Sequence, residues 1–210
     1  IIGRTMSKYN HQYYIVFENY DDDTLYLTTH DRSDHRNYEY TKLVGSEPMF
    51  FANGYRDEDL AKGISRPIKQ AHLSSTYPVI TNEIKNALRG IENELFQFYP
   101  AVILDDNDTY NEDYWVFNVF HKMDVLDIDN CAIRRINPNR EGQKIQKYFL
   151  SDNKLDKIPL SERLVFKPKF SNISHIIVHE TVVNIFQKHD VDTLNFIKIS
   201  DWEMGLHFIE

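Results

Sequence analysis

Two stretches, "YPVITNEIKNALRGIENELFQF" (77–98) and "HIIVHETVVNIFQKHDVDTLNF" (175–196), carry one apolar skeleton at a fixed shift of 98 residues. Val79 and Ile80 answer to Ile177 and Val178, Ile84 to Val182, Ala87 and Leu88 to Ile185 and Phe186, and Phe96 and Phe98 to Leu194 and Phe196. In each copy a β-branched run leads into apolar residues spaced by three and four, and a second extended run follows. Each copy is therefore predicted as strand, helix, strand. Thr81 stands at the N-cap position of the first helix, where its oxygen can accept amide hydrogens of the first turn. Pro100 removes a backbone donor from the strand that closes the first copy, so that strand is expected to be an edge or to break there. A duplication and two independent solutions to one packing problem would give the same pattern.

Elsewhere the pattern is less regular. "HQYYIVFENYDDDTLYLTT" (11–29) reads as two β-rich runs joined by an acidic turn, an N-terminal hairpin. Residues 31–77 mix turn and strand signals and support no assignment. In "YWVFNVF" (114–120), Trp115, Phe117 and Val119 alternate along a strand and are assigned to the core. No Pro/Gly/Ser-rich linker divides the chain, so the reading is an α+β fold with a mixed or antiparallel sheet, one domain over 6–210. Two lobes, each built on one strand-helix-strand unit and parted near 105–113, stay open as an alternative. "IIGRT" ahead of Met6 is read as an expression remnant and left out of the fold. A domain of 210 residues buries roughly 70% of its unfolded surface and needs no disulfide or metal staple.

Charge excludes more than length does. The chain holds 32 Asp and Glu against 24 Lys and Arg, a net charge of -8. Residues 105–130 carry eight acids and one base, Lys122, whereas residues 131–171 carry ten bases and four acids. Opposed surfaces are expected unless the two segments interleave. Overall acidity speaks against binding nucleic acid, whose phosphate backbone is held largely by lysine and arginine displacing counterions. A partner with a basic surface is the easier inference. Cys131 is alone, so no intrachain disulfide or cysteine zinc cluster forms, and a reducing compartment is the simplest setting. No apolar run approaches the roughly 20 residues that span a bilayer, and no signal-peptide pattern is read at the start.

A phosphate cradle needs glycines where backbone approaches the ligand, and the seven glycines form neither G-x-G-x-x-G nor G-x-x-x-x-G-K-[ST]. There is no G-x-S-x-G or H-E-x-x-H, and Cys131, between an acidic run and "AIRR", reads as a packed thiol. His175 and His179 stand four apart, but imidazoles at that spacing converge on one ion only on a helix, and "HIIVH" reads as extended. The twin stretch has Tyr77 and Thr81 at those places, so both histidines are assigned to the surface or a helix cap. "LDDNDTYNEDY" and "DVLDIDN" fail the calcium-loop pattern, with no glycine at the sharp turn and no correctly placed bidentate acid. No catalytic residue, cofactor or metal ligand is assigned. The enzymatic alternative is a small hydrolase or transferase with dispersed residues, using His72, His121, His175 or His179 with nearby Asp or Glu.

What the acidic run offers is a surface. "DDNDTYNEDYW" sets Tyr110 and Tyr114 among Asp105, Asp106, Asp108, Glu112 and Asp113. Tyrosine contributes contact area at low entropic cost, and a carboxylate cluster steers a basic partner toward it. These seven residues form the predicted partner-binding loop. Phe170, beside Lys167 and Lys169, is read as part of a solvated loop.

"YWVFNVFHKMDVLDIDNCAI", "KYFLSDNKLDKIPLSERLVFKP" and "HIIVHETVVNIFQKHDVDTLNFIKI" follow one another in an order that resembles a family of immunity proteins from bacterial polymorphic toxin systems. That α+β family was first catalogued as a domain of unknown function. The shared pattern is an apolar strand leading to an aspartate-rich turn, a short strand ending in an aromatic and a base, then strand, helix and closing strand. "YPVITNEIKNALRG" and "FYPAVIL" are similar to the upstream half, so the likeness covers roughly residues 70–200. Cys131 stands where the pattern has serine, and Lys167 where arginine is commoner. The resemblance implies a cytoplasmic bacterial protein, encoded beside a toxin, that acts without enzymatic chemistry. It would bind the cognate toxin domain and cover its active surface.

Overall fold

The computed structural model describes residues 6–134, 137 and 141–205; the remnant read at 1–5, and Arg135 and Arg140 of the basic segment, lie outside them. In chain order the elements begin β1 (Tyr13–Glu18), β2 (Leu27–Thr29), β3 (Met49–Asn53), α1 (Arg56–Lys62), β4 (Ala71–Ser74), β5 (Tyr77–Thr81) and α2 (Asn82–Ala87). Next come β6 (Phe96–Leu104), β7 (Tyr110–Val119), β8 (Lys122–Met123), β9 (Ala132–Ile133), β10 (Ile145–Lys147) and α3 (Asp152–Leu155). The last are β11 (Val165–Pro168), β12 (Ile177–His179), α4 (Glu180–Lys188) and β13 (Leu194–Lys198). The fold is α+β and mostly sheet, as the sequence indicates.

Two compact units make up the chain, one of Ile1–Val16, Lys122–Val183 and Phe196–Glu210, the other of Phe17–His121 and Asn184–Asn195. Residues 105–113, where the sequence reading puts a lobe boundary, span the turn from β6 into β7 and lie within the second unit. That unit holds a six-stranded sheet in the order β2-β3-β6-β7-β5-β4, antiparallel except where β3 runs parallel to β6. Phe96, Phe98 and Phe117 pack ring against ring at its centre, with centroids 4.9 to 6.0 Å apart. In the first unit Tyr13 packs against Phe166 and His179, and Tyr148 stacks on Trp202.

The predicted repeat is present and extends further than the sequence shows. β5, α2 and β6 form one strand-helix-strand unit; β12, α4 and β13 form the other. In the six-stranded sheet β5 and β6 flank β7, and β4 pairs with β5 on its outer side. In the five-stranded sheet, β13-β1-β12-β11-β8, strands β12 and β13 likewise flank β1, and β11 pairs with β12. β12 is antiparallel to β1. Bonds from Asn19 N–H to Thr193 O and from Ile199 N–H to Tyr13 O set β13 antiparallel to β1 as well. Four strands therefore recur in one arrangement, although β7 follows its copy in the chain and β1 lies far upstream of its own.

Several local expectations are corrected. The two runs of 11–29 form β1 and β2, but β1 pairs with β12 and β13 while β2 pairs with β3, so no hairpin joins them. β6 is continuous through Pro100 and central. Its parallel ladder with β3 begins only at Ala101, so the missing donor falls just outside that ladder. Thr81 ends β5 and gives α2 no side-chain cap; its Oγ1 is buried with no hydrogen-bond partner among the described residues. Lys167 is buried within β11 and does not belong to a solvated loop. Both histidines of "HIIVH" are buried and not on the surface, while the cap reading holds for His179. His175 Nδ1 meets the Tyr148 hydroxyl at 3.0 Å, whereas His179 Nδ1 accepts the Thr181 N–H at the start of α4.

Residues 30–48, which the sequence leaves unassigned, are fastened by one arginine. Arg36 donates to the carbonyls of Val44, Glu47 and Pro48 and to the Tyr99 hydroxyl, at 2.8 to 3.3 Å. Arg36→Ala is expected to cost no more than about 2 kcal/mol globally. It should nonetheless open residues 37–47 to rapid cleavage in limited proteolysis, because loop stability is local. An unchanged digestion pattern would show that the loop holds without Arg36.

Candidate partner-binding face

β3 and β6 run parallel and end together at Asn53 and Leu104, and β2 begins beside the end of β3, Leu27 opposite Asn53. The connections leaving this end of the sheet, residues 18–26, 53–66 and 105–110, are held together by side chains. Asn53 Nδ2 donates to Asp59 Oδ2 at 2.9 Å and to Asp106 Oδ1 at 3.3 Å, while its Oδ1 accepts the Tyr55 N–H. Arg66 grips Asp59 through Nε at 2.8 Å and Nη2 at 3.1 Å, and Nη1 donates to the Asp22 carbonyl. Arg56 donates to the Asp106 carbonyl and pairs with Asp108 at 3.0 Å. Hydrogen bonds from Arg66 and Asn53 hold the Asp59 carboxyl below the usual carboxylate range.

Asn53 is thus the hinge pin between two acidic connections. Asn53→Ala removes two donors to carboxylates and the acceptor that starts α1, and is expected to cost about 2 kcal/mol in urea denaturation. A loss below about 0.5 kcal/mol would mean that water replaces the clasp, since surface-like substitutions fall in that range.

The predicted loop residues divide across this geometry. Asp105 is the turn organiser: its Oδ1 accepts from the N–H groups of Asn107 and Thr109, and these bonds, Thr109's foremost, lower its pKa. Asp106 and Asp108 are tied to Asn53 and Arg56 as described, and Tyr110 is exposed with its ring edge against Phe50. Glu112 and Asp113 are exposed in a β-bulge, where β7 spends three residue steps, Asn111 to Tyr114, against two on β6. The extra residue turns Tyr114 onto the opposite face from Tyr110. There Tyr114 is half-buried and its hydroxyl donates to the Lys69 carbonyl at 2.9 Å. Asp105, Asp106, Asp108 and Tyr110 are brought together; Tyr114 is not among them.

Sequence reasoning passed over Glu18, Tyr20, Asp21, Asp22, Asp23, Tyr26 and Tyr55 at this end. The signal is "ENYDDDTLY", an acid-and-tyrosine run like "DDNDTY" that a hairpin reading takes as its turn. The three connections hold ten carboxylates against three bases, Arg56, Lys62 and Arg66, so most of the chain's net charge of -8 sits here. Two of those bases already serve Asp59 and Asp108. The expected basic surface from 131–171 is partly spent internally, because Lys154 pairs with Asp124 of the acidic segment and Arg163 donates to the Tyr13 hydroxyl.

Two cavities open in the second unit. One, of about 390 Å³, is lined by Lys69, Thr81, Tyr114, Asp190, Asp192 and neighbours, with Lys69 and Asp192 paired at 2.8 Å. The other, of about 300 Å³, is lined by Glu18, Tyr20, Asp21, Thr24, Tyr26, Tyr55 and Arg66. Neither is lined by a histidine. His189 meets Glu83 at 3.2 Å on the surface, outside both. Among the described residues no three His, Cys, Asp or Glu gather as a metal site, and no helix is long and apolar enough to cross a membrane. Burial pushes the Cys131 thiol up to about 11, which keeps it protonated and unreactive at neutral pH.

No curated protein matches the chain. A family model does, and over nearly its whole length: residues 6–201 match the model described as Immunity protein family (Imm11), and the chain with this acidic, tyrosine-bearing sheet end belongs to that immunity protein family.

Proposed function

We propose that the protein neutralises a cognate bacterial toxin domain without chemistry of its own, by binding it through the acidic end of the six-stranded sheet and covering its active surface. Membership of an immunity family supports a toxin-neutralising role. The observation that carries the choice of face is the concentration of charge: ten carboxylates and three bases on three connections that side chains clasp into one body. A fixed negative surface raises the encounter rate with a basic partner and disfavours acidic ones, while exposed Tyr20, Tyr26, Tyr55 and Tyr110 provide rigid contact area. The complex would bury about 800 Å² on each partner. Cytoplasm of the toxin-producing cell is the setting in which such a protein protects its host.

Co-expression with the product of the neighbouring toxin gene tests the reading. A stable complex, rescue of growth, and association that slows steeply between roughly 50 and 500 mM salt are expected, because screening shortens the reach of surface charge. No complex and no rescue would remove the proposal. A complex that forms equally fast at both ionic strengths would move the contact away from this face.

A further inference from the structure

The smaller cavity has a composition that narrows what the face receives. Its walls are three tyrosines whose side chains stay open to solvent, Tyr20, Tyr26 and Tyr55 being 74%, 42% and 50% exposed. The rings of Tyr26 and Tyr55 lie 4.9 Å apart at 34°. Tyr26 can lie there because residue 54 is glycine: a Cβ at that position would stand 2.5 Å from the ring. Glu18 lines the cavity as well, and its Oε1 is buried with no hydrogen-bond partner among the described residues. The Tyr20 hydroxyl serves the carboxyl, but Oε1 itself lacks a donor, and a buried carboxylate oxygen in that state is costly.

Arg66, the cavity's own base, does not answer it. All three of its nitrogens are engaged elsewhere, with Asp59 and with the carbonyls of Asp22 and Thr24. What would complete the site is a cation: an ammonium or guanidinium is attracted to the faces of tyrosine rings and donates to the carboxylate, and its alkyl stem packs on the same rings. About 300 Å³ is at the lower limit of small-ligand cavities, enough for one long side chain and too little for a folded element.

We infer that Glu18, set among Tyr20, Tyr26 and Tyr55, forms a socket for one lysine or arginine side chain of the toxin domain, an inference that rests on the function proposed above. Burial holds the Glu18 carboxyl above its ordinary range, against the pull of the Tyr20 hydroxyl that bonds to it, which is the state an arriving cation relieves. Asp21, another lining residue, stays ionised through its bond from Thr24 and adds to the attraction for a cation.

The test compares dissociation constants for the toxin domain encoded beside the gene among wild type, Glu18→Gln, Tyr26→Ala and Asp57→Asn. Asp57 is exposed on the same end of the sheet but does not line the cavity, so it controls for loss of one charge. Glu18→Gln should weaken binding by about 30-fold or more, as loss of one partner of a desolvated pair does, and Asp57→Asn by less than about 3-fold. Tyr26→Ala should follow Glu18→Gln, with thermal unfolding used to confirm that each variant is folded. In parallel, N-acetyl-lysine methylamide is titrated into the protein alone, and should move the ring signals of Tyr20, Tyr26 and Tyr55 in wild type but not in Glu18→Gln. Toxin binding that Glu18→Gln and Asp57→Asn weaken equally, with unmoved ring signals, would overturn the socket and leave the proposed function standing. Absence of any wild-type complex would defeat both.

Discussion

Phe117→Ala is expected to cost about 4 kcal/mol, the largest effect of any single substitution considered for this protein. Phe117 is 1% exposed and sits on β7, the strand to which both β5 and β6 are bonded. Its ring touches Phe96 at 5.1 Å and Phe98 at 4.9 Å, so truncation removes contacts with two aromatics at once. Strands bonded on either side of β7 limit how far the surroundings can collapse into the space, and the cavity term then adds to the lost transfer energy. In urea denaturation the midpoint should fall with the slope unchanged, since the surface exposed on unfolding is nearly the same. A loss under about 2 kcal/mol would show that the neighbouring rings close the gap.

The second large effect is a response to acid that resides in His72. Its Nε2 accepts the Lys69 N–H at 2.8 Å, and Nδ1 is buried with no hydrogen-bond partner among the described residues. Burial, aided by the Lys69 charge and opposed by that of Asp192, lowers its pKa from 6.5 to about 4. The folded protein therefore keeps His72 neutral while the unfolded chain takes up a proton below 6.5. Stability from this group is complete above that pH and is lost as pH falls from 6.5 toward 4, about 3 kcal/mol in all. Asp59, whose folded pKa is lowered, loses its contribution only below the ordinary aspartate range, so the two windows separate. His72→Gln retains an acceptor for the Lys69 N–H and should flatten the difference in unfolding free energy between pH 7 and pH 4.5. If wild type and variant decline in parallel across that range, the histidine is not the sensor.

Much of the fold was legible because local periodicity is a direct consequence of backbone geometry. In α4 the buried Val182, Val183 and Phe186 lie on one side, which a helix allows and the alternation of a strand does not, and the flanking β-branched and aromatic runs pair as strands. The acidic end of the six-stranded sheet was half legible. Asp105, Asp106, Asp108 and Tyr110 declare themselves by composition, whereas Glu18 and Tyr20 carry the same chemistry in a stretch whose alternation pointed to a hairpin. Tyr55 follows Gly54 in a region without a clear pattern, and nothing in its neighbours announces a ring exposed beside Tyr26.

Sequence by itself determined the strands and helices of the two repeated units and the strand runs of β1, β2 and β7, that the apolar skeleton occurs twice, and that the molecule carries an excess of carboxylates. Only the tertiary structure decided that β1 and β2 part company, that Pro100 can sit in a central strand, and that one added residue in β7 sends Tyr110 and Tyr114 to opposite faces. It also decided that residues 18–26, 53–66 and 105–110 meet at one end of a sheet, the last two clasped through Asn53 and the first two through Arg66. The reason is one of range. Helical and strand periods are set by neighbours within a few residues, while strand partners and register are chosen by contacts between segments far apart in the chain, which leave little trace in either segment alone.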